Sequence, residues 1–175
     1  MGVGGGVCQV SSTLYNCALL AGLEIVEANK HSKQVSYVNQ GFDAMVNFGS
    51  SDLKFRNNTS ENITIITNFS TNQARIRIYG EKPQNSYKLF SEVFNINEPK
   101  EEIFYDEKQE YLDKVTYDDE FFYLKKGSVG KEIKTYRETY SNNLLINKEL
   151  LRHDKYPVQN SIKIFGNKKR TENCA

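Results

Sequence analysis

Gly4-Gly5-Gly6-Val7-Cys8-Gln9-Val10-Ser11-Ser12 is the stretch whose residue types come closest to chemistry. Glycines let a second backbone approach closely. A cysteine delivered to the first turn of a helix meets unpaired amides and the positive end of the helix dipole, which favour a thiolate. A nucleophilic cysteine uses that geometry, with the amides at residues 8–9 and the Gln9 side chain as candidate oxyanion donors. A second reading stays open, in which Cys8 is a small buried hydrophobe and Gln9 a solvated helix residue. The glycines do not form a phosphate loop, because neither GxGxxG nor a following Lys-Ser/Thr is present.

A thiolate nucleophile needs a base, and the chain has only two histidines. His31 falls between the first two strand-like runs, whereas His153 lies next to Asp154 in a charged region and reads as a surface residue. Asp43 begins the following run and is the candidate partner that orients His31. The order Cys8, His31, Asp43 is that of transglutaminase-like thiol enzymes, an analogy of chain order alone. The bland alternatives are a turn histidine and a capping carboxylate. No CxxC or HExxH spacing occurs, so no metal or other cofactor is expected.

The elements that must position these residues come next. Cys8–Ala21 reads as a helix with Val10, Leu14, Cys17, Ala18 and Ala21 on one apolar face, closed by Gly22 as a C-cap. Short strands are expected at Leu23–Ala28, Gln34–Val38, Ala44–Phe48 and Leu53–Phe55. Asn62–Phe69 and Gln73–Tyr79 form a hairpin, with Ile63, Ile65 and Phe69 on one face of the first arm and Ala74, Ile76 and Ile78 on one face of the second. Ile103–Lys114 carries helical stretches. Glu132–Tyr140 and Leu144–Leu151 form a second hairpin across Ser141-Asn142-Asn143, charged on both arms, as expected of a solvated ribbon. The fold class is therefore α+β: one N-terminal helix packed on short antiparallel strands, followed by an elongated strand-rich β module.

Composition bounds the rest. The 175 residues include 23 Lys/Arg and 22 Asp/Glu, a net charge of +1, so no charge surplus points to nucleic acid. No apolar run approaches the ~20 residues of a membrane-spanning helix. Residues 1–84 hold 7 basic and 6 acidic residues, whereas residues 85–175 hold 16 of each, and Gly falls from eight to three. The chain thus divides into 1–84 and 85–175, with Pro83 as hinge. Cys8 and Cys17, nine residues apart, fall on opposite sides of one helix and cannot bridge; Cys174 lies in the tail. Met1 leads straight into glycines with no secretory signal, so the chain is expected to continue a longer protein whose signal or anchor is upstream.

Residues 4–16, Gly-Gly-Gly-Val-Cys-Gln-Val-Ser-Ser-Thr-Leu-Tyr-Asn, resemble the signature of VanW-like proteins. The resemblance continues through Ala18–Glu24, His31-Ser32, Val35–Val38, Gly41–Ala44, Gly49-Ser50, Asp52–Asn58 and Ile76–Gly80, in order, over nearly all of residues 2–80. It departs at Ser12, where relatives often have Thr, and at Phe42, where they often have Arg. Longer relatives carry a segment before the glycine motif. The region from Gly127 is similar to the five-glycine envelope module, through Gly127-x-x-Gly130-Lys131, Thr135-Tyr136-Arg137, Tyr140, Glu149, Tyr156-Pro157 and Ile164-Phe165-Gly166; residues 87–122 match it poorly.

The resemblance implies an extracytoplasmic cell-envelope protein of a Gram-positive bacterium, from a family some of whose members lie in vancomycin-resistance clusters. It implies a setting and no reaction. The expected partner is cell-wall glycan or peptide, with Tyr136 and Tyr140 as candidate sugar-stacking residues or, equally, as cross-strand packing. Two functions stay open: wall-associated binding or scaffolding, and a Cys-His thiol hydrolase or acyltransferase on peptidoglycan peptides with Cys8, His31 and Asp43 as its triad.

Overall fold

A computed structural model describes residues 6–71 and 73–170. The order of elements is α1 (Val7–Leu20), β1 (Glu24–Glu27), β2 (Lys54–Arg56), β3 (Thr64–Ser70), β4 (Gln73–Tyr79), β5 (Ser86–Asn97), β6 (Glu101–Tyr105), β7 (Phe121–Lys125), β8 (Gly130–Ser141), β9 (Leu144–Tyr156) and β10 (Ser161–Phe165). One helix with antiparallel pairs beside it and a strand-rich remainder is the expected α+β class. Two compact units form, residues 1–93 with 133–154 and residues 94–132 with 155–175.

Gly6, left-handed at φ 102°, starts α1 without a side-chain cap. The helix closes as a Schellman motif: Gly22, at φ 75°, donates to Leu19 O and Leu23 donates to Ala18 O. Its buried face is Ser11, Ser12, Tyr15, Ala18 and Leu19, offset from the apolar face expected at Val10, Leu14, Cys17, Ala18 and Ala21. The serines face inward because their hydroxyls are satisfied there, Ser11 Oγ donating to Ala44 O at 2.5 Å and Ser12 Oγ accepting from Ala44 N–H at 2.9 Å. The half-buried opposite side meets β4, where the Cys17 thiol reaches Ile76 O at 3.7 Å. Burial pushes the Cys17 thiol up from its ordinary value, against the opposing effect of a backbone hydrogen bond.

Tyr15, Leu19, Phe42 and Ala44 form the core of the first unit, with Ile25, Ala28, Val38, Leu53, Leu89 and Leu151 packed against it. β1 and β2 pair antiparallel, as do β3 and β4, in register from Thr64↔Tyr79 to Ser70↔Gln73. Ala74, Ile76 and Ile78 turn to the half-buried side of β4, while all of β3 is exposed.

The strands expected at Gln34–Val38 and Ala44–Phe48 do not form; only single bridges, Asn29↔Met45 and Asn47↔Ser51, occur there. Side chains take the place of a neighbouring strand. Asn16 Nδ2 donates to Phe42 O, Arg152 donates to Gly41 O and Asp43 O, and the two serines hold both backbone groups of Ala44. With those groups satisfied, the segment has no need of a ladder.

β8 lies between β5 and β9. The turn between β8 and β9 puts Asn142 and Asn143 at φ 48° and 65°, the type I′ signature of a two-residue hairpin. β9 is solvated from Leu144 to Leu150, as expected, but β8 buries Ile133 and Thr135 completely. Gly41, at φ 80°, sits so close to Thr135 Cγ2 that a Cβ there would collide with it.

In the second unit, β10 pairs parallel with β6 and antiparallel with β7. The helical stretches expected within 103–114 are absent. Ile103, Phe104 and Tyr105 have the aromatic and β-branched character that suits strand β6, and Asp106 then accepts from the amides of Glu110 and Tyr111 while Gln109 takes φ 56°. A backbone committed to that side chain and to a left-handed residue turns instead of coiling.

Candidate functional site

His31 and Asp43 come together. The carboxylate Oδ2 accepts from both the His31 backbone N–H and the ring Nδ1, each at 2.7 Å. Oδ1 faces Arg152, whose Nη2 lies 2.9 Å away. Asp43 is only 3% exposed. Burial alone would raise its pKa, but the two His31 donors and the Arg152 charge overcome that and hold it below the ordinary carboxylate value. An ionised Asp43 fixes the imidazole with its proton on Nδ1. The lone pair is then on Nε2.

Nε2 faces the Tyr37 hydroxyl at 3.4 Å, the two rings meeting edge-on. Burial raises the Tyr37 pKa, opposed by a hydrogen bond with Ser12 and reinforced by the charges of Cys8 and Asp43, so the phenol keeps its proton. Tyr37 is thus shared by the imidazole and the start of α1, and nothing in the sequence singled it out as more than a strand residue. The Cys8 thiol, half-buried, donates to Val46 O at 3.6 Å.

The arrangement therefore joins His31 to Asp43 directly and sets Tyr37 against Nε2, whereas the Cys8 thiol bonds Val46 O. The Gln9 amide is engaged by Gly6 O at 3.1 Å, so an oxyanion would have to be met by the Cys8 amide or the exposed Gln9 side chain. A cleft of about 600 Å³ is lined by Val7, Val46, Phe48 and Lys54, among others, with Phe48 fully exposed; Cys8 is not part of its lining. Gly4 and Gly5 of the glycine run lie outside the described residues, as does Cys174. Among the described residues, no group of three or more His, Cys, Asp or Glu side chains could hold a metal ion.

Arg152 is the other residue that sequence reasoning missed. Its guanidinium donates to Gly41 O (2.8 Å), Asp43 O (3.0 Å) and Asp43 Oδ1, and through Nε to Asp154 Oδ2 at 2.8 Å. Asp154, 2% exposed, has its pKa raised, because burial outweighs the attraction of Arg152. No local signal ties Arg152 to the site, since its partners Asp43 and Gly41 lie 109 and 111 residues away.

Tyr136 and Tyr140 have local partners. Tyr136 stacks on Phe90 and carries Lys148 Nζ 4.3 Å from its ring centre, and Lys88 Nζ lies 4.6 Å from the centre of Tyr140, whose hydroxyl donates to Glu138. His153 is exposed, as expected. Among the described residues, no helix is long and apolar enough to cross a membrane.

The sequence model of the family described as VanW like protein matches residues 1–79. YoaR, an uncharacterized protein of Bacillus subtilis (strain 168), is 50% identical over 64 residues, which is 37% of this chain and 21% of YoaR, so the chain spans about a fifth of that relative. Among solved structures, HP0197-G5 is similar at 21% identity over 48% of this chain and 100% of that one, with a TM-score of 0.24. The IgA1 protease G5 domain is similar at 16% identity over 51% of this chain and 100% of that one, with a TM-score of 0.32. Cys8, His31, Tyr37 and Asp43 thus all lie in the stretch that the VanW-like family model matches.

Proposed function

We propose that this chain works at the bacterial cell envelope, associated with the wall, and that Cys8, His31 and Asp43 give it thiol hydrolase or acyltransferase activity on peptidoglycan peptides. The observation that carries the chemical part is the His31–Asp43 pair at 2.7 Å, which leaves Nε2 facing the Tyr37 hydroxyl. In this reading Nε2 takes the thiol proton as sulfur attacks the acyl carbon. The same nitrogen returns it to the departing amine, leaving a thioester that water or a second amine resolves. Tyr37, 40% exposed, has room to turn aside and release Nε2. A role beside vancomycin-resistance functions is part of the proposed setting.

The test is alkylation of Cys8 by iodoacetamide at pH 7, read peptide by peptide by mass spectrometry. In His31→Ala the rate at Cys8 should fall about tenfold or more, the order of effect expected on losing an adjacent base, while Cys17 is unchanged. An undiminished rate at Cys8 sinks the thiol mechanism.

The Cys8–Val46 hydrogen bond supports a second reading, in which Cys8 is structural and the chain binds or scaffolds wall glycan. Tyr136 and Tyr140 would then be the candidate sugar contacts. Retention of the chain on purified peptidoglycan, lost on Tyr136→Ala with Tyr140→Ala, is the outcome expected of it; equal retention of that variant removes those two residues from the binding surface.

A further inference from the structure

We propose that Arg152 is the positioning residue of the His31–Asp43 pair, so that strand β9, outside the VanW-like stretch, completes the site that this stretch carries. The proposal rests on the thiol reading above. Three hydrogen bonds from one planar guanidinium converge on a single loop and its carboxylate, and a fourth goes to Asp154. Two of them hold the backbone oxygens of Gly41 and Asp43, and a third holds Asp43 Oδ1, which leaves Oδ2 for His31. The orientation of the carboxylate, and through it the tautomer and angle of the imidazole, is therefore set from β9. Asp154 completes the arrangement from behind, accepting the Nε proton and holding the guanidinium plane in place.

A lysine cannot substitute. It carries the charge but not the planar fork, so it cannot serve Gly41 O, Asp43 O, Asp43 Oδ1 and Asp154 together. Charge alone would leave Lys and Arg equivalent here; positioning would not. Thr135 hydroxyl contact with Arg152 O and the close approach of Gly41 to Thr135 keep the loop and the two strands in one register, so the guanidinium meets a preformed target.

The experiment uses the full chain with ¹⁵N-labelled histidine and follows the hydrogen-bonded Nδ1 proton of His31, assigned by its loss in His31→Ala. The wild type should show it slowly exchanging with water. Arg152→Lys, with its backbone amide spectrum otherwise retained, should lose that resonance or speed its exchange at least about tenfold. Asp154→Asn, which touches neither Asp43 nor His31, should speed it by a smaller factor and serves if Arg152→Lys does not fold. An unchanged Nδ1 proton in a folded Arg152→Lys chain, or in Asp154→Asn where the lysine variant is unfolded, overturns the proposal. This readout is independent of Cys8: an undiminished alkylation rate in His31→Ala would end the thiol reading while leaving the Arg152 result to stand or fall on its own.

Discussion

The hairpins β3–β4 and β8–β9 contribute in opposite ways. β3–β4 lies within the VanW-like stretch, yet every residue of β3 is exposed and β4 offers only one half-buried face. β8–β9 lies outside that stretch, yet it buries Ile133 and Thr135, packs Leu151 on the core, and sends Arg137 to Leu23 O and Arg152 to the loop of Asp43. Membership of the matched sequence and membership of the folding core are thus different things here. A hairpin counts toward the core through what its inward face and its long cations reach, whatever its distance along the chain.

The largest expected effect comes from breaking the reach of β9. Arg152→Met should cost about 3–5 kcal/mol, because it strands two buried carboxylates, Asp43 and Asp154, and leaves two backbone oxygens short of donors. The urea midpoint reports it; a loss within about 0.5 kcal/mol, the range of an ordinary surface change, would show that water replaces the guanidinium.

Next comes a matched pair of truncations, one in each hairpin. Ile133→Ala in β8 should cost about 2–5 kcal/mol, as for other fully buried aliphatics. Ile66→Ala in β3, 43% exposed, should stay near about 0.5–1 kcal/mol. Equal losses would erase the contrast between the hairpins.

The smallest effect expected is one of pH. Asp43 has a lowered pKa, so its contribution is present above the ordinary carboxylate value of about 4 and is lost as pH falls through its folded value. Asp154 has a raised pKa, so its contribution is present below about 4 and is lost as pH rises through its folded value. Denaturation midpoints measured from pH 3 to 7 should therefore lose their acid-side fall in Asp43→Asn and their decline toward neutral pH in Asp154→Asn. Parallel profiles for the two variants would show that Arg152 does not divide their environments as described.

Much of this was legible from local patterns. Gly22 announced the end of α1, alternation in 73–79 announced the half-buried face of β4, and Asn142-Asn143 announced a tight hairpin, because each depends on residues within a few positions of one another. His31 and Asp43 were also legible as a candidate pair, twelve residues apart. The loop of residues 41–47 was not. It has the apolar alternation of a strand, but its backbone groups are met by Asn16, Ser11, Ser12 and Arg152, and hydrophobic pattern says nothing about side-chain donors. The buried face of α1 shifted for the same reason, since two serines with partners in the interior can be buried as readily as aliphatics.

What the amino-acid sequence determined by itself is the VanW-like stretch, the helix that presents Cys8, and the hairpins, all set by short-range periodicity, caps and turn residues. What only the tertiary structure decided is which imidazole edge faces Tyr37, which serines enter the core, and that Arg152 orients Asp43. Those outcomes depend on polar groups meeting partners 6 residues away for His31 and Tyr37, 32 and 33 for the serines and Ala44, and 109 for Arg152 and Asp43, and no hydrophobic pattern encodes which donor will arrive.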